Sequence, residues 1–269
     1  MTNTVQIGWV LAQRELRARY RESILGLGWL VMLPLIMASL YTLVFWGVFQ
    51  ARWPAQATVA ASGGMGDAFL FGLRLFAGLA VFQFFADVLV RSTRAITDNA
   101  PLVKRLRFPV LALVFSQVMS SFVALLVSLA CCVLIAVSGF GVIPSVGMLV
   151  FSVLWSFVSA LGIAMILASL ATYLRDLQQL VPAITAALLF VSPVFYPSLK
   201  AQGILGQLVA LNPLSAPIEL VRAAVFSESL AVIGYSTDGI WAAWGFALML
   251  LLAGFWTFHR LKGGFADLI

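Results

Sequence analysis

Asp, Glu, Lys and Arg together supply only 10% of this 269-residue chain, where a soluble domain carries about 25%. So little charge excludes a soluble fold, whose exterior must still be wetted. Lysine is rarer still: Lys104, Lys200 and Lys262 follow Val103, Leu199 and Leu261. None follows a glycine, which excludes the G-x-x-x-x-G-K-[ST] loop that cradles nucleotide phosphates. The single histidine, His259, stands beside Arg260 at the end of an apolar run and reads as an interfacial anchor. No H-E-x-x-H exists, and Gly234-Tyr-Ser236 is followed by Thr237-Asp238, so the G-x-S-x-G nucleophile pattern fails as well. The two cysteines, Cys131 and Cys132, are adjacent inside an apolar run and have no metal-ligand spacing. These absences leave no catalytic residue and no metal ligand to name.

What is present is apolar: 62% of the residues. No Asp, Glu, Lys or Arg interrupts Val110 to Leu174. A charge at mid-bilayer costs roughly 2.5–3.5 kcal/mol, and one helix needs about 20 residues to cross. The stretch therefore reads as two spans broken at Gly139-Phe-Gly141-Val-Ile-Pro144. The same reasoning along the chain predicts an all-α, polytopic membrane protein, a single domain over 1–269. Its six spans are expected near 27–50, 69–91, 110–137, 146–173, 180–198 and 239–258. Basic residues ahead of the first apolar run and Ala55-Gln56-Ala57 imitate a signal peptide. However, Ser23 to Ala51 is uncharged for far longer than the roughly 7–15 residues of a signal core. It reads as a retained first span.

Orientation follows from the basic residues. Of the 16 lysines and arginines, 12 fall on the side that holds both termini: Arg14, Arg17, Arg19, Arg21, Arg91, Arg94, Lys104, Arg105, Arg107, Arg175, Arg260 and Lys262. The positive-inside rule then puts both termini in the cytoplasm. The net charge of +6 is accounted for by topology, and no nucleic-acid partner is needed. Within the spans the ionisable residues are Arg74 and Asp87, near opposite ends of the second. Ion-coupled transporters usually keep carboxylates or histidines at mid-membrane, so their scarcity points to energy from a separate ATPase.

Three further segments are informative. In residues 4–22, Val5, Trp9, Ala12, Leu16 and Tyr20 share one helical stripe, and Arg14, Arg17 and Arg21 face the other way. Ile7, Val10 and Leu11 lie off the stripe. Such a helix is expected to lie in the membrane plane with its arginines at headgroup level. Residues 91–109 form a basic cytoplasmic loop bounded by Pro101 and Pro109. The external segment 199–238 holds two short apolar stretches, near 202–211 and 214–226, parted by Asn212-Pro213. Each is too short to cross, as re-entrant or interfacial helices are. Ser215 and Pro217 suit a helix start, and Glu219 and Arg222, three apart, can pair.

The first span reads Tyr20-Arg-Glu-Ser23-Ile-Leu25-Gly26-Leu-Gly28-Trp29, then Pro34-Leu35, Tyr41 and Phe45. Further on come Gly78-Leu79 with Phe84-Phe85, Asn99 with Lys104 and Phe108-Pro109, and Tyr173-Leu-Arg175-Asp176-Leu177. Ser192-Pro193-Val-Phe-Tyr196-Pro197, Asn212-Pro213-Leu214 and Arg222 complete the series. Together, in this order, they resemble the permeases of bacterial ABC exporters of O-antigen and teichoic acid. Pro101 departs from that pattern. The resemblance implies that two copies of the chain pair with two copies of a separate nucleotide-binding subunit, which carries MgATP; this chain holds no cofactor. It implies that Asn99, Lys104, Arg105, Arg107 and Phe108 couple to the ATPase, with a smaller contact at Arg175 and Asp176. The substrate it implies is a glycan on undecaprenyl diphosphate, moved across the inner membrane. Arg14, Arg17 and Arg21 suit attraction of the diphosphate, since arginine binds phosphate bidentately. Tyr41, Phe45, Trp46, Phe49, Phe195 and Tyr196 are candidates to line the glycan path. A related permease for capsule polysaccharide, teichoic acid, a drug or a small lipid is the alternative.

Overall fold

The computed structural model describes residues 2–20, 26–48, 65–104, 108–229 and 237–268. Most of the described residues are helical, and none lies in a strand. Helix α1 is Thr2–Tyr20. Helix α2, Trp29–Thr42, runs on through a π-helical turn at Leu43–Val48. Then come α3, Met65–Ser92, the one-turn α4, Ala100–Val103, and α5, Leu111–Phe140. Helices α6, Val146–Tyr173, and α7, Leu177–Val191, follow. Two half-helices, α8 at Gly203–Leu211 and α9 at Ser215–Phe226, meet at 86°. Helix α10 is Thr237–Leu261, and α11 is the short Phe265–Leu268.

Among the described residues five helices are long and apolar enough to cross a membrane, or six if the α8–α9 pair counts as one span. The protein is a multi-pass membrane protein. The second, third, fourth and sixth expected spans coincide with α3, α5, α6 and α10 to within a few residues. The fifth, expected over 180–198, differs. Helix α7 has 15 residues, a rise of roughly 22 Å, and stops at Val191 because Pro193 has no N–H and disfavours helical geometry in Ser192 before it.

Small residues let the helices approach. Helices α6 and α10 pack most extensively, backbone on backbone at Gly162 and Gly254. A Cβ on Gly162 would sit 2.6 Å from the Leu250 carbonyl group, and one on Gly254 would overlap the Gly162 carbonyl oxygen. Membrane helices associate through such contacts because lipid supplies no hydrophobic drive between them. Helix α3 is the central rod: its face from Leu70 to Val88 is largely buried against α2, α5, α6, α7 and α9. Helix α9 is buried along its whole length, Ser215 to Phe226, including its two charged residues, Glu219 and Arg222.

Two ends of the bundle can be distinguished. At one lie α1, the α3–α5 connection, the turn between α6 and α7, and α11; Gln178 reaches Thr93, and Arg175 reaches Leu268. At the other lie the α5–α6 turn, the Pro193–Lys200 segment and α9; the Ser145 N–H donates to the Ala224 carbonyl at 2.8 Å.

Candidate functional site

At the first end, α3 closes at Ser92 and the chain coils through turns and a 3-10 turn, Thr97–Asn99, into α4. Pro101 falls in the first turn of α4, where its missing N–H costs nothing. The Asn99 side-chain amide donates to the Ala95 carbonyl at 3.0 Å, folding the loop on itself. Lys104 is exposed, and Phe108 is half-buried against the core. Arg105 and Arg107 lie outside the described residues. Arg175 and Asp176 are exposed in the α6–α7 turn. Gln178, which the sequence did not single out, joins the two connections. Its amide donates to the Thr93 carbonyl at 3.4 Å and to the Thr97 hydroxyl at 3.3 Å.

Helix α1 lies across the first turns of α5. A Cβ on Gly8 would come within 2.7 Å of the Phe115 ring, and Ala12 is buried. Glu15 fixes its position. The Glu15 carboxylate accepts from Arg91 at 2.8 Å, Ser116 at 3.1 Å and Ser120 at 3.3 Å. Arg91 also bonds Asp87 at 3.2 Å, and the Ser121 hydroxyl donates to Asp87 at 2.6 Å. The expected single apolar stripe is therefore divided. Ala12 turns inward beside Gly8, whereas Trp9 and Val10 are exposed; Val5, also exposed, borders a pocket lined by Leu111 and Phe115. That division accounts for two of the residues off the stripe: Leu11 packs against the core, whereas Val10 is exposed. Arg14 and Arg17 are exposed; the side chain of Tyr20 and all of Arg21 lie outside the description.

At the opposite end the candidate aromatics separate into two groups. Tyr41 and Phe45, one turn apart, close on Phe195, edge-on at 4.8 Å and stacked at 4.9 Å. Phe195 is buried by them, and the Tyr196 hydroxyl donates to the Phe190 carbonyl at 2.9 Å. Trp46 instead packs on Phe71 at 5.8 Å. It borders an apolar groove of about 480 Å³ between α2 and α3. Phe49 lies outside the described residues.

Beneath these aromatics is a buried ionic cluster. Arg222 is 0% exposed and Glu219 is 1% exposed; their side chains pair at 3.2 Å. The same guanidinium donates to the carbonyls of Pro193 at 2.9 Å, Val194 at 3.1 Å and Arg74 at 3.4 Å. Glu219 accepts the Ser198 N–H at 2.7 Å. Arg74 pairs with Glu228 at 2.9 Å and lies 5.0 Å over the Phe226 ring. Gly78 makes room: a Cβ there would sit 2.5 Å from an Arg222 nitrogen. Asn212 holds the bend before α9, donating to the Ser192 hydroxyl at 2.9 Å and accepting the Leu214 N–H at 3.0 Å. The sequence places Arg222 in the external segment and Arg74 near one end of the second span but says nothing of their burial; both are buried. The available signal was the i,i+3 pair on an otherwise apolar helix. Buried charges of this kind must be paired to be tolerated, and here they clamp α9 and the Pro193–Ser198 turn to α3. Gly78, Ser192-Pro193, Asn212 and Arg222, separate motifs along the chain, thus meet in one place.

Comparison with known proteins adds to this geometry. Residues 7–226 match the family described as ABC-2 type transporter. The chain is similar to the "O-antigen export system permease protein RfbA" of Myxococcus xanthus, 27% identical over 244 residues, covering 87% of this chain and 88% of the relative. A Klebsiella pneumoniae protein of the same name is 25% identical over 268 residues, covering 97% and 93%.

Proposed function

Because the chain belongs to the ABC-2 type transporter family, we propose that it is the membrane-spanning subunit of an ATP-driven exporter of undecaprenyl-diphosphate-linked polysaccharide, O-antigen in particular. Its place is the bacterial inner membrane, with both termini cytoplasmic. Two copies of the chain work with two copies of a nucleotide-binding subunit, which binds MgATP and supplies the energy. The family match over most of the chain carries this reading. The names of relatives aligned along nearly their full length support the substrate.

The division of labour follows the two ends of the bundle. Asn99, Lys104, Arg105, Arg107 and Phe108, with Arg175 and Asp176, meet the ATPase on the cytoplasmic side. Exposed Arg14 and Arg17, with Arg21, draw the diphosphate to the membrane surface through charge-assisted hydrogen bonds. Tyr41, Phe45, Trp46, Phe49, Phe195 and Tyr196 border the glycan path near the exit, where aromatic faces stack on sugar rings. Reversing the charge of Lys104, Arg105 and Arg107 together tests the assignment. Surface glycan should disappear while membrane insertion and protein level stay normal. Normal glycan from that variant would refute the coupling role.

A further inference from the structure

The segment after α10 is not among the residues assigned to the ATPase contact, yet the fold carries it to the same surface. The Tyr173 hydroxyl donates to the Leu261 carbonyl at 2.9 Å, closing the end of α10. The chain then turns through Lys262–Gly264, where Gly264 lies so close to the Tyr173 hydroxyl that a Cβ would overlap it. Phe265 is 1% exposed and packs on Phe258 at 5.5 Å and Tyr173 at 6.3 Å. From this anchor α11 runs against α4, and the Leu268 carbonyl accepts from the Arg175 guanidinium at 3.4 Å. The segment therefore touches both connections that Gln178 also joins. Around it Arg94, Lys104, Arg175 and Lys262 are exposed, against the exposed acids Asp98 and Asp176 and Asp267 of the segment itself, whose side chain lies outside the description. The surface is cationic and is held by a buried aromatic.

We propose that Lys262–Leu268 is a third element of the docking surface for the nucleotide-binding subunit, meeting carboxylates on that partner and fixing Arg175 relative to α4. This rests on the function proposed above. Exposed Lys262 adds to the encounter field, and Phe265 sets the position of the segment. Charged groups at an interface rim act mainly on association rate and salt dependence.

The experiment is retention of the purified nucleotide-binding subunit by the full chain in lipid nanodiscs, across a salt series. Lys262→Glu should weaken binding about threefold at low salt, in keeping with a rim charge, with the difference vanishing at high salt. Lys262→Arg should bind as the unaltered chain does. Phe265→Ala should lose tenfold or more at every salt concentration. Lys200→Glu, the same charge change at the opposite end, should leave binding intact. If the unaltered chain binds and both Lys262→Glu and Phe265→Ala bind equally well, the segment has no docking role. If the unaltered chain itself retains no subunit, the proposed function fails and this inference falls with it. Should Phe265→Ala fail to insert, the salt response of Lys262→Glu alone decides.

Discussion

Replacing Arg222 with methionine keeps much of the side-chain volume and removes the charge. Glu219 then loses its partner at 3.2 Å and retains the Ser198 N–H and hydroxyl. The carbonyls of Pro193 and Val194 lose donors at 2.9 and 3.1 Å. Breaking a buried pair by removing one member costs about 3–5 kcal/mol. At roughly 2–4 °C per kcal/mol for a chain of this size, the lower bound of that cost lowers Tm by about 6–12 °C. The second half of the prediction is more discriminating. Arg222→Met combined with Glu219→Gln removes both charges, and neutralising both members of a buried pair is far less damaging than orphaning one. The double variant should recover more than half of the lost Tm, a coupling that a double-mutant cycle isolates. The assay is thermal unfolding of detergent-purified protein followed by circular dichroism. A single variant within about 2 °C of the unaltered chain would show that the cluster does not hold α9, by the same Tm scale. A double variant as unstable as the single would show that lost packing, not an orphaned carboxylate, is responsible.

Two glycines nine residues apart on α10 should behave oppositely. Gly254→Ala drives a methyl into the Gly162 backbone and should lower Tm by several degrees, since overpacking costs about 1–3 kcal/mol; an unchanged Tm would mean α6 and α10 have room to part. Gly245→Ala meets nothing within 4 Å and should leave Tm unchanged or raise it, as alanine loses less backbone entropy on folding. At the other end, Glu15→Gln should release α1 from α5 by about 1 kcal/mol, a value suited to a half-exposed pair. Hydrogen exchange over residues 4–18 reads it, and unaltered protection would assign the attachment to Gly8 and Ala12 alone.

Much of the architecture was legible because the membrane imposes a one-dimensional rule. Charge-free stretches of the right length marked α5, α6 and α10, a charge-poor one marked α3, and the Gly139–Pro144 turn parted the middle pair. The end of α7 was less legible because apolarity continues past Ser192 while proline geometry stops the helix. The buried and exposed apolar residues of α1 merged in the sequence, since nothing in Val10 or Leu11 says which will meet the core. The buried cluster was the least legible. The pairing of Arg222 with Glu219 could be read from their spacing, but the Pro193 and Val194 carbonyls and the gap at Gly78 that surround it lie on two other stretches of chain. For the candidate coupling residues, spacing identified the two connections, but the bridge through Gln178 is a product of tertiary packing.

Helix α3 runs unbroken for 28 residues, a rod of roughly 42 Å. At one tip Arg91 holds α1; further along, beside Arg74 and Gly78, it carries the re-entrant half-helix. In the exporter proposed above, a tilt delivered where the rod emerges beside Thr93 would be carried along it to the α8–α9 pair and to α1 together, making substrate entry and release two consequences of one lever.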